Sequence, residues 1–114
     1  HMTDKQFYTL FGAALAAENR DAYVSDWCLS DIWADPDNAL EIPLDRVDAV
    51  GAVWDVAHLT VRDIRQHTKL SQVKFALHYC IPRRTLEDWE SGERSCPDYL
   101  RLLLAQSVGL YERV

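Results

Sequence analysis

A short predicted helix that begins at Arg83 carries four charged side chains on one face. Its two large apolar residues, Leu86 and Trp89, are three positions apart, so both point to the same side and are predicted to be buried. The charged residues left on the outer face are Arg83, Arg84, Glu87 and Asp88. Guanidinium groups donate hydrogen bonds and carboxylates accept them, so this face is suited to binding a polar partner.

A second short amphipathic helix is predicted just before this one, and a tight turn joins the two. Ser71 is expected to cap the earlier helix, and Phe75 with Ala76 supplies its buried side. Pro82 fixes φ at the start of the later helix, and the backbone N–H that proline lacks is not needed at that position. Gly92 ends that helix. Two short helices joined in this way allow one of them to lie in a DNA major groove.

This pattern resembles the helix-turn-helix of phage repressors and Cro proteins, the XRE family, over roughly residues 60–109, about half of the chain. The family's block Leu-Ser-Gln-x-x-Phe/Leu-Ala corresponds to residues 70–76, and its block Thr-Ile/Leu-x-x-hydrophobic-Glu-x-Gly corresponds to residues 85–92. The family also pairs a buried arginine with the glutamate of the second block, and Arg65 and Glu90 occupy these two positions. The resemblance is specific because these features coincide at the family's spacing.

The chain departs from the family pattern at two positions. Cys80 stands in the turn where the family usually has Gly, and a residue other than Gly at positive φ costs about 1 kcal/mol. Pro82 stands where the family usually has a Ser or Thr that caps the second helix. Both departures leave the expected fold unchanged but leave open the angle at which the second helix begins.

The resemblance implies which residues would contact DNA. The family's base-reading positions correspond to Arg83, Arg84 and Asp88, with Thr85 and Glu87 nearby. An arginine donates two hydrogen bonds from its planar fork to O6 and N7 of guanine, and Asp88 would accept one from N4 of cytosine. The family's phosphate-contacting positions correspond to Ser71, Gln72 and Arg94.

The two halves of the chain differ in charge, within 114 residues and a formal net charge of −6. Residues 1–57 contain 11 acidic and 3 basic residues, whereas residues 58–114 contain 7 acidic and 9 basic residues. The predicted helix-turn-helix therefore lies in the half with the basic excess, and the leading half repels phosphate. The acidic half can equally be a solvated surface with no partner.

We predict an all-α fold, because strand-like alternation is almost absent. We also expect two domains. Residues 1–57 are expected to form an acidic, tryptophan-containing helical extension packed on a helix-turn-helix domain of residues 58–114. Thr60 and Asp63 are expected to form a capping pair at the start of that domain's first helix. The other expected helices span about residues 4–19, 21–35 with an interruption at Ser30, 45–57 and 98–109.

Three tryptophans lie outside the expected helix-turn-helix, at positions 27, 33 and 54. Core packing between the leading helices and the helix-turn-helix is the simpler interpretation. The alternative is that part of the set Tyr8, Trp27, Trp33 and Trp54 lies near a dimer contact or a surface that binds another protein.

No pattern in the sequence favours catalysis, a metal site or a cofactor, so we expect a protein that is not an enzyme. The histidines and cysteines are spread over separate elements without zinc-ligand spacing, and the four glycines are isolated. The acidic residues Asp35, Asp37 and Glu41 lack the full ligand set of a calcium loop, so a solvated loop is expected there.

The cellular compartment is predicted from the cysteines and from the apolar segments. The three cysteines have no CxxC spacing, which indicates reduced thiols in a cytoplasmic protein. No signal peptide is expected, and no apolar run approaches the ~20 residues of a membrane span.

Two hypotheses on function follow. The first is a sequence-specific DNA-binding transcriptional regulator, a homodimeric repressor of double-stranded DNA targets that include its own gene. The alternative is an antitoxin or a mobile-element inhibitor of the anti-CRISPR kind, which binds a protein partner through the acidic N-terminal half. An acidic surface of that kind would mimic nucleic acid in a basic channel.

Overall fold

The computed structural model describes residues 1–34 and 43–114, with no side-chain description at residues 43 and 44. The predicted all-α fold is confirmed, because the described residues form α-helices and one short 3-10 helix but no strand. The solvated loop expected at Asp35, Asp37 and Glu41 lies outside the described residues. The α-helices are α1 (Asp4–Ala16), α2 (Arg20–Cys28), α3 (Pro43–Ala57), α4 (Val61–Thr68), α5 (Gln72–Tyr79), α6 (Arg83–Ser91) and α7 (Asp98–Ser107).

These elements belong to two compact units. Unit 1 contains residues 1–58 and 112–114, and unit 2 contains residues 59–111. The expected boundary lay after residue 57, with the last three residues in the second domain, whereas the structure places those three residues in unit 1. There the N–H of Met2 donates to the carbonyl oxygen of Val114 at 2.7 Å.

The first helix of unit 1 is shorter than its periodicity predicts. It begins with a capping box, in which the Thr3 hydroxyl accepts from the backbone N–H of Gln6 and the Gln6 side chain accepts from that of Thr3. It ends at Ala16 rather than near Asn19. The reason is local, because the Asn19 side chain caps α2 by accepting from the N–H of Ala22 at 2.8 Å.

The predicted second segment is divided into α2 and a 3-10 helix (Asp31–Ala34), with the interruption near Ser30. The Ser30 hydroxyl accepts from the N–H of Ile32 at 3.2 Å, a local bond that competes with continuation of the α-helix. Trp33 in this 3-10 helix is buried, and its indole N–H donates to the carbonyl oxygen of Trp27 at 2.8 Å.

The core of unit 1 lies where α3 packs on α1 and α2. The Tyr23 hydroxyl donates to the carbonyl oxygen of Leu10 at 2.7 Å, which satisfies the only polar group of a buried ring. The indole N–H of Trp54 donates to the carbonyl oxygen of Ala17 at 3.0 Å. The apolar side chains buried in this unit include those of Phe7, Leu10, Trp33, Val50 and Val53.

Unit 2 contains α4 to α7 and is built from short helices with defined ends. The predicted capping pair of Thr60 and Asp63 is confirmed at the start of α4, and the predicted cap Ser71 accepts from the N–H of Lys74 at 3.2 Å. Gly92 ends α6 at φ 89°, as predicted. The side chains buried in its core belong to Val61, Ile64, Phe75, Ala76, Leu86, Leu104 and Ala105.

Candidate functional site

The turn between α5 and α6 consists of Cys80, Ile81 and Pro82. Cys80 lies in the left-handed region at φ 55° and ψ 35°, the conformation for which the turn would favour Gly. The N–H of Ile81 donates to the carbonyl oxygen of Ala76 at 2.9 Å, which closes the end of α5. Pro82 at φ −55° precedes α6 and offers no side-chain cap, so the first N–H groups of α6 are left without one.

The inner side of α6 is fixed by a charged side chain that is almost fully covered. Glu90 accepts two parallel hydrogen bonds from Arg65, at 2.7 Å from Nε and 2.8 Å from a terminal nitrogen. The amide of Gln72 donates to the same carboxylate at 3.2 Å, and Arg62 lies 3.4 Å from it. Since these partners belong to α4 and α5, one carboxylate connects α6 to both helices.

The environment of Glu90 stabilises its ionised form. Its side chain is 1 % exposed, and that of Arg65 is 16 % exposed. The hydrogen bonds from Arg65 outweigh the effect of burial and hold the pKa of Glu90 below its ordinary value. A terminal nitrogen of Arg65 also donates to the carbonyl oxygen of Leu70 at 3.1 Å, so the guanidinium is held at a second point.

The outer face of α6 (Arg83, Arg84, Glu87 and Asp88) lies opposite the fully buried Leu86. Both arginines are in the first turn of the helix, and their side chains are 64 % and 81 % exposed. Each lies beside a carboxylate one turn further along, with Arg83 Nε 3.0 Å from Glu87 and Arg84 Nε 3.1 Å from Asp88. Thr85, which follows them in the first turn, is half-buried.

Asp88 differs from the other members of this face because it is largely covered. Its side chain is 14 % exposed, and its second carboxylate oxygen accepts from Arg94 Nε at 3.0 Å. Its backbone carbonyl oxygen accepts from the N–H groups of Gly92 and Arg94 at 3.0 and 3.2 Å. Asp88 and Arg94, which the resemblance assigns to different roles on DNA, are therefore bonded to each other in the free protein.

The residues matched to phosphate contacts all have partners within unit 2. Ser71 caps α5, Gln72 donates to Glu90, and Arg94 binds Asp88. The shared role of Arg62 and Gln72 at Glu90 was not predicted from the sequence. The spacing of Arg62 and Arg65 on one face of α4 was the available signal, because residues three apart on a helix are neighbours.

No other part of the described chain assembles a comparable site. Among the described residues, no group of three or more His, Cys, Asp or Glu side chains could hold a metal ion. The His58 ring stacks on Trp54, and its Nε2 lies 2.8 Å from the carbonyl oxygen of Ala14. The three cysteines are free thiols, and burial raises the pKa of the Cys28 and Cys96 thiols.

The charge of unit 2 is slightly positive, with eight basic and six acidic residues. In unit 1, exposed carboxylates lie along and beside α2, at Glu18, Asp21, Asp26 and Asp31. None of the helices in the described ranges has both the length and the apolar character that crossing a membrane requires.

No family model matches the chain, and no curated protein or solved structure shows significant similarity to it.

Proposed function

We propose that this chain is a sequence-specific DNA-binding transcriptional regulator, a cytoplasmic repressor that inserts the outer face of α6 into the major groove. The observation that carries the proposal is the exposure of Arg83 and Arg84 in the first turn of a helix whose opposite side is fixed by Leu86 and Glu90. A recognition helix must be held rigidly while its first residues reach base edges. The proposed activity is binding and involves no catalytic step.

The hydrogen bonding of Arg84 leaves it able to recognise a base. It donates to Asp88 through Nε, so its two terminal nitrogens remain donors toward O6 and N7 of guanine. The uncapped N–H groups at the start of α6 add a weak attraction for a backbone phosphate. In this proposal Arg83 and Arg84 specify sequence, with Thr85 and Glu87 beside them, while Ser71, Gln72 and Arg94 lie toward the phosphates.

A homodimer is part of the proposal, because one copy of unit 2 has a small positive charge and one recognition helix. Counterion release by a few basic residues supplies little affinity, and a single helix buries too little surface for tight specific binding. Two copies of α6 about 34 Å apart would read a palindrome with half-sites one helical turn apart. The acidic unit 1 would then face away from the duplex.

Selection from a random-sequence oligonucleotide library tests the proposal, with the purified full chain at low and at physiological salt. The proposal expects enrichment of a palindromic motif that contains G·C pairs and persists at the higher salt. The Arg84→Ala variant should lose this enrichment. Arg20→Ala, which removes the same charge from unit 1, serves as the matched control and should retain it. Absence of any enriched motif for the wild-type chain contradicts the proposal.

A second candidate function is supported by the exposed carboxylates along α2. Glu18, Asp21, Asp26 and Asp31 form an acidic surface that suits a basic protein, such as a toxin or the nucleic-acid channel of a nuclease. Its test begins with the neighbouring reading frames in the genome, because an antitoxin is encoded beside its toxin. Calorimetry with the purified neighbouring product should give binding that Asp21→Lys and Asp26→Lys abolish and Arg84→Ala does not. Binding whose affinity is unchanged by these lysine substitutions contradicts this candidate function.

A further inference from the structure

Asp88 lies at a position in α6 where a carboxylate does not stabilise a helix. It lies in the second half of α6, and a negative charge near a helix C-terminus opposes the helix dipole. Aspartate is also one of the poorer helix formers. The intrinsic preferences of α6 therefore do not explain this residue, whereas its contacts with two arginines do.

Those contacts occupy both oxygens of the carboxylate. Arg84 donates to one oxygen from four residues earlier in the helix, and Arg94 donates to the other from the segment after Gly92. The N–H of Arg94 also donates to the backbone carbonyl oxygen of Asp88. Each of these oxygens has a further lone pair, but the side chain is only 14 % exposed, so Asp88 presents little of its carboxylate to a cytosine edge.

Among the described residues, the side chains of Arg84 and Arg94 each bond to Asp88 through Nε alone. An arginine held at Nε keeps its terminal nitrogens as donors while its long side chain loses freedom before binding. An arginine side chain that becomes ordered only on binding loses conformational entropy at that step, which weakens the complex. A guanidinium that is already positioned avoids this loss and therefore favours recognition of a base.

The same carboxylate opposes binding to an arbitrary sequence. A negative charge between two arginines lowers the local attraction for phosphate, and phosphate attraction supplies essentially all of non-specific binding. A base edge that fits the terminal nitrogens of Arg84 is not penalised to the same extent, because Asp88 itself helps to hold that side chain.

We propose that Asp88 is a positioning residue that orients Arg84 and Arg94 at the DNA-binding surface and thereby increases discrimination between the target site and other DNA. This inference rests on the proposed function. It reassigns Asp88 from reading a base to holding an arginine that reads one.

A double-mutant cycle on the selected oligonucleotide tests this assignment. Arg84→Ala identifies the base pair that Arg84 reads by lowering the preference for it about 5- to 150-fold. Asp88→Ala should lower the preference at that same base pair about fivefold, and it should change the preference less than about twofold when Arg84 is already alanine. Asp88→Ala should also raise affinity for random-sequence DNA about two- to fivefold at low salt.

Two further variants separate positioning from charge and from loss of structure. Glu93→Ala removes an equal charge from an exposed position beside Arg94 and should raise random-sequence affinity without changing the preference at the Arg84 base pair. Asp88→Asn keeps an oxygen acceptor in nearly the same volume and should fold even where Asp88→Ala does not. It should lose less of the preference than Asp88→Ala.

The outcomes distinguish this inference from the proposed function on which it rests. A wild-type chain that binds no selected sequence overturns the proposed function. A wild-type chain that binds its site, with an Asp88→Ala effect that falls on a different base pair and adds to that of Arg84→Ala, shows that Asp88 reads a base itself. Such additivity, or an unchanged preference in the folded Asp88 variants, overturns the positioning role alone.

Discussion

Arg65 and Glu90 are joined by two parallel hydrogen bonds of 2.7 and 2.8 Å, although they are 25 residues apart in the chain. Two nitrogens of the guanidinium each donate to one oxygen of the carboxylate, which is the bidentate arrangement. The Glu90 side chain is almost completely covered. The pair therefore links α4 to α6 at the position from which the outer face of α6 is presented. It connects the stability of unit 2 with the placement of Arg83 and Arg84.

Removal of the carboxylate should destabilise the protein strongly. Glu90→Ala leaves the largely covered guanidinium of Arg65 without its carboxylate, and the loss of one partner from a buried pair typically costs about 3–5 kcal/mol. Urea unfolding followed by circular dichroism measures the change. Glu93→Ala, at an exposed position in the same unit, is the control and should change the unfolding free energy by less than about 0.5 kcal/mol. Equal midpoints for the two variants would show that the pair contributes no stability.

The same pair should make stability depend on acid. Hydrogen bonds from Arg65 hold the pKa of Glu90 in the folded protein below its unfolded value of about 4.3. The contribution is therefore fully present above the unfolded pKa and is lost as pH falls through the folded pKa. We expect the unfolding free energy of the wild-type chain to decrease more steeply below about pH 5 than that of Glu90→Gln. Parallel pH profiles for the two proteins would contradict this expectation.

The parts of the fold that were predictable from sequence are those set by neighbouring residues. The hydroxyls of Thr60 and Ser71 begin helices because each accepts a hydrogen bond from a backbone N–H three residues later. Gly92 ends α6 because it adopts a positive φ and its N–H donates to a carbonyl oxygen four residues earlier. The end of α1 was misplaced for a related reason. No glycine or proline marks an end at Ala16, and Asn19 caps the next helix instead.

The contacts of the candidate site were less predictable, because they depend on distant or competing partners. Arg94 carries the same charge whether it faces phosphate or Asp88, and only the turn after Gly92 brings it to that carboxylate. Gln72 shows no periodic signal for its bond to Glu90, which is 18 residues away. Sequence spacing therefore indicated the Arg65–Glu90 pair but not the bonds of Arg94 to Asp88 and of Gln72 to Glu90.

The conformation of Cys80 leads to a prediction about the turn. A side chain at φ 55° costs about 1 kcal/mol, and the greater freedom of Gly in the unfolded chain offsets about half of this, so Cys80→Gly should raise the unfolding free energy by about 0.5 kcal/mol. Gly92→Ala provides the opposite change at φ 89°, where an added Cβ meets no atom within 4 Å. It should destabilise by about 1 kcal/mol through backbone strain alone. Changes of the same sign in the two variants would contradict this interpretation.

The two exposed arginines of α6 should differ from Gln72 in how their loss affects binding. Arg83→Ala and Arg84→Ala should each lose about 1–3 kcal/mol of discrimination at one base pair, whereas Gln72→Ala should weaken all sequences more evenly. Arg84→Lys keeps the charge without the planar fork, so it should retain affinity for random DNA and lose discrimination. Fluorescence anisotropy with the selected site and with single-base variants measures both quantities. Equal losses on selected and random DNA would identify the arginines as phosphate contacts.

The proposed dimer is tested most directly on the full chain in solution. Since unit 2 has only two more basic than acidic residues, a monomer would lack both the charge and the contact area for tight specific binding. Sedimentation at micromolar concentration should give a dimer of a 13.1 kDa chain, free or on a palindromic oligonucleotide with two half-sites. Insertion of about five base pairs between the half-sites should abolish tight binding, because it turns one half-site to the opposite face of the duplex. A strict monomer in both states would overturn the dimer and favour the acidic surface of unit 1 as the binding surface of the protein.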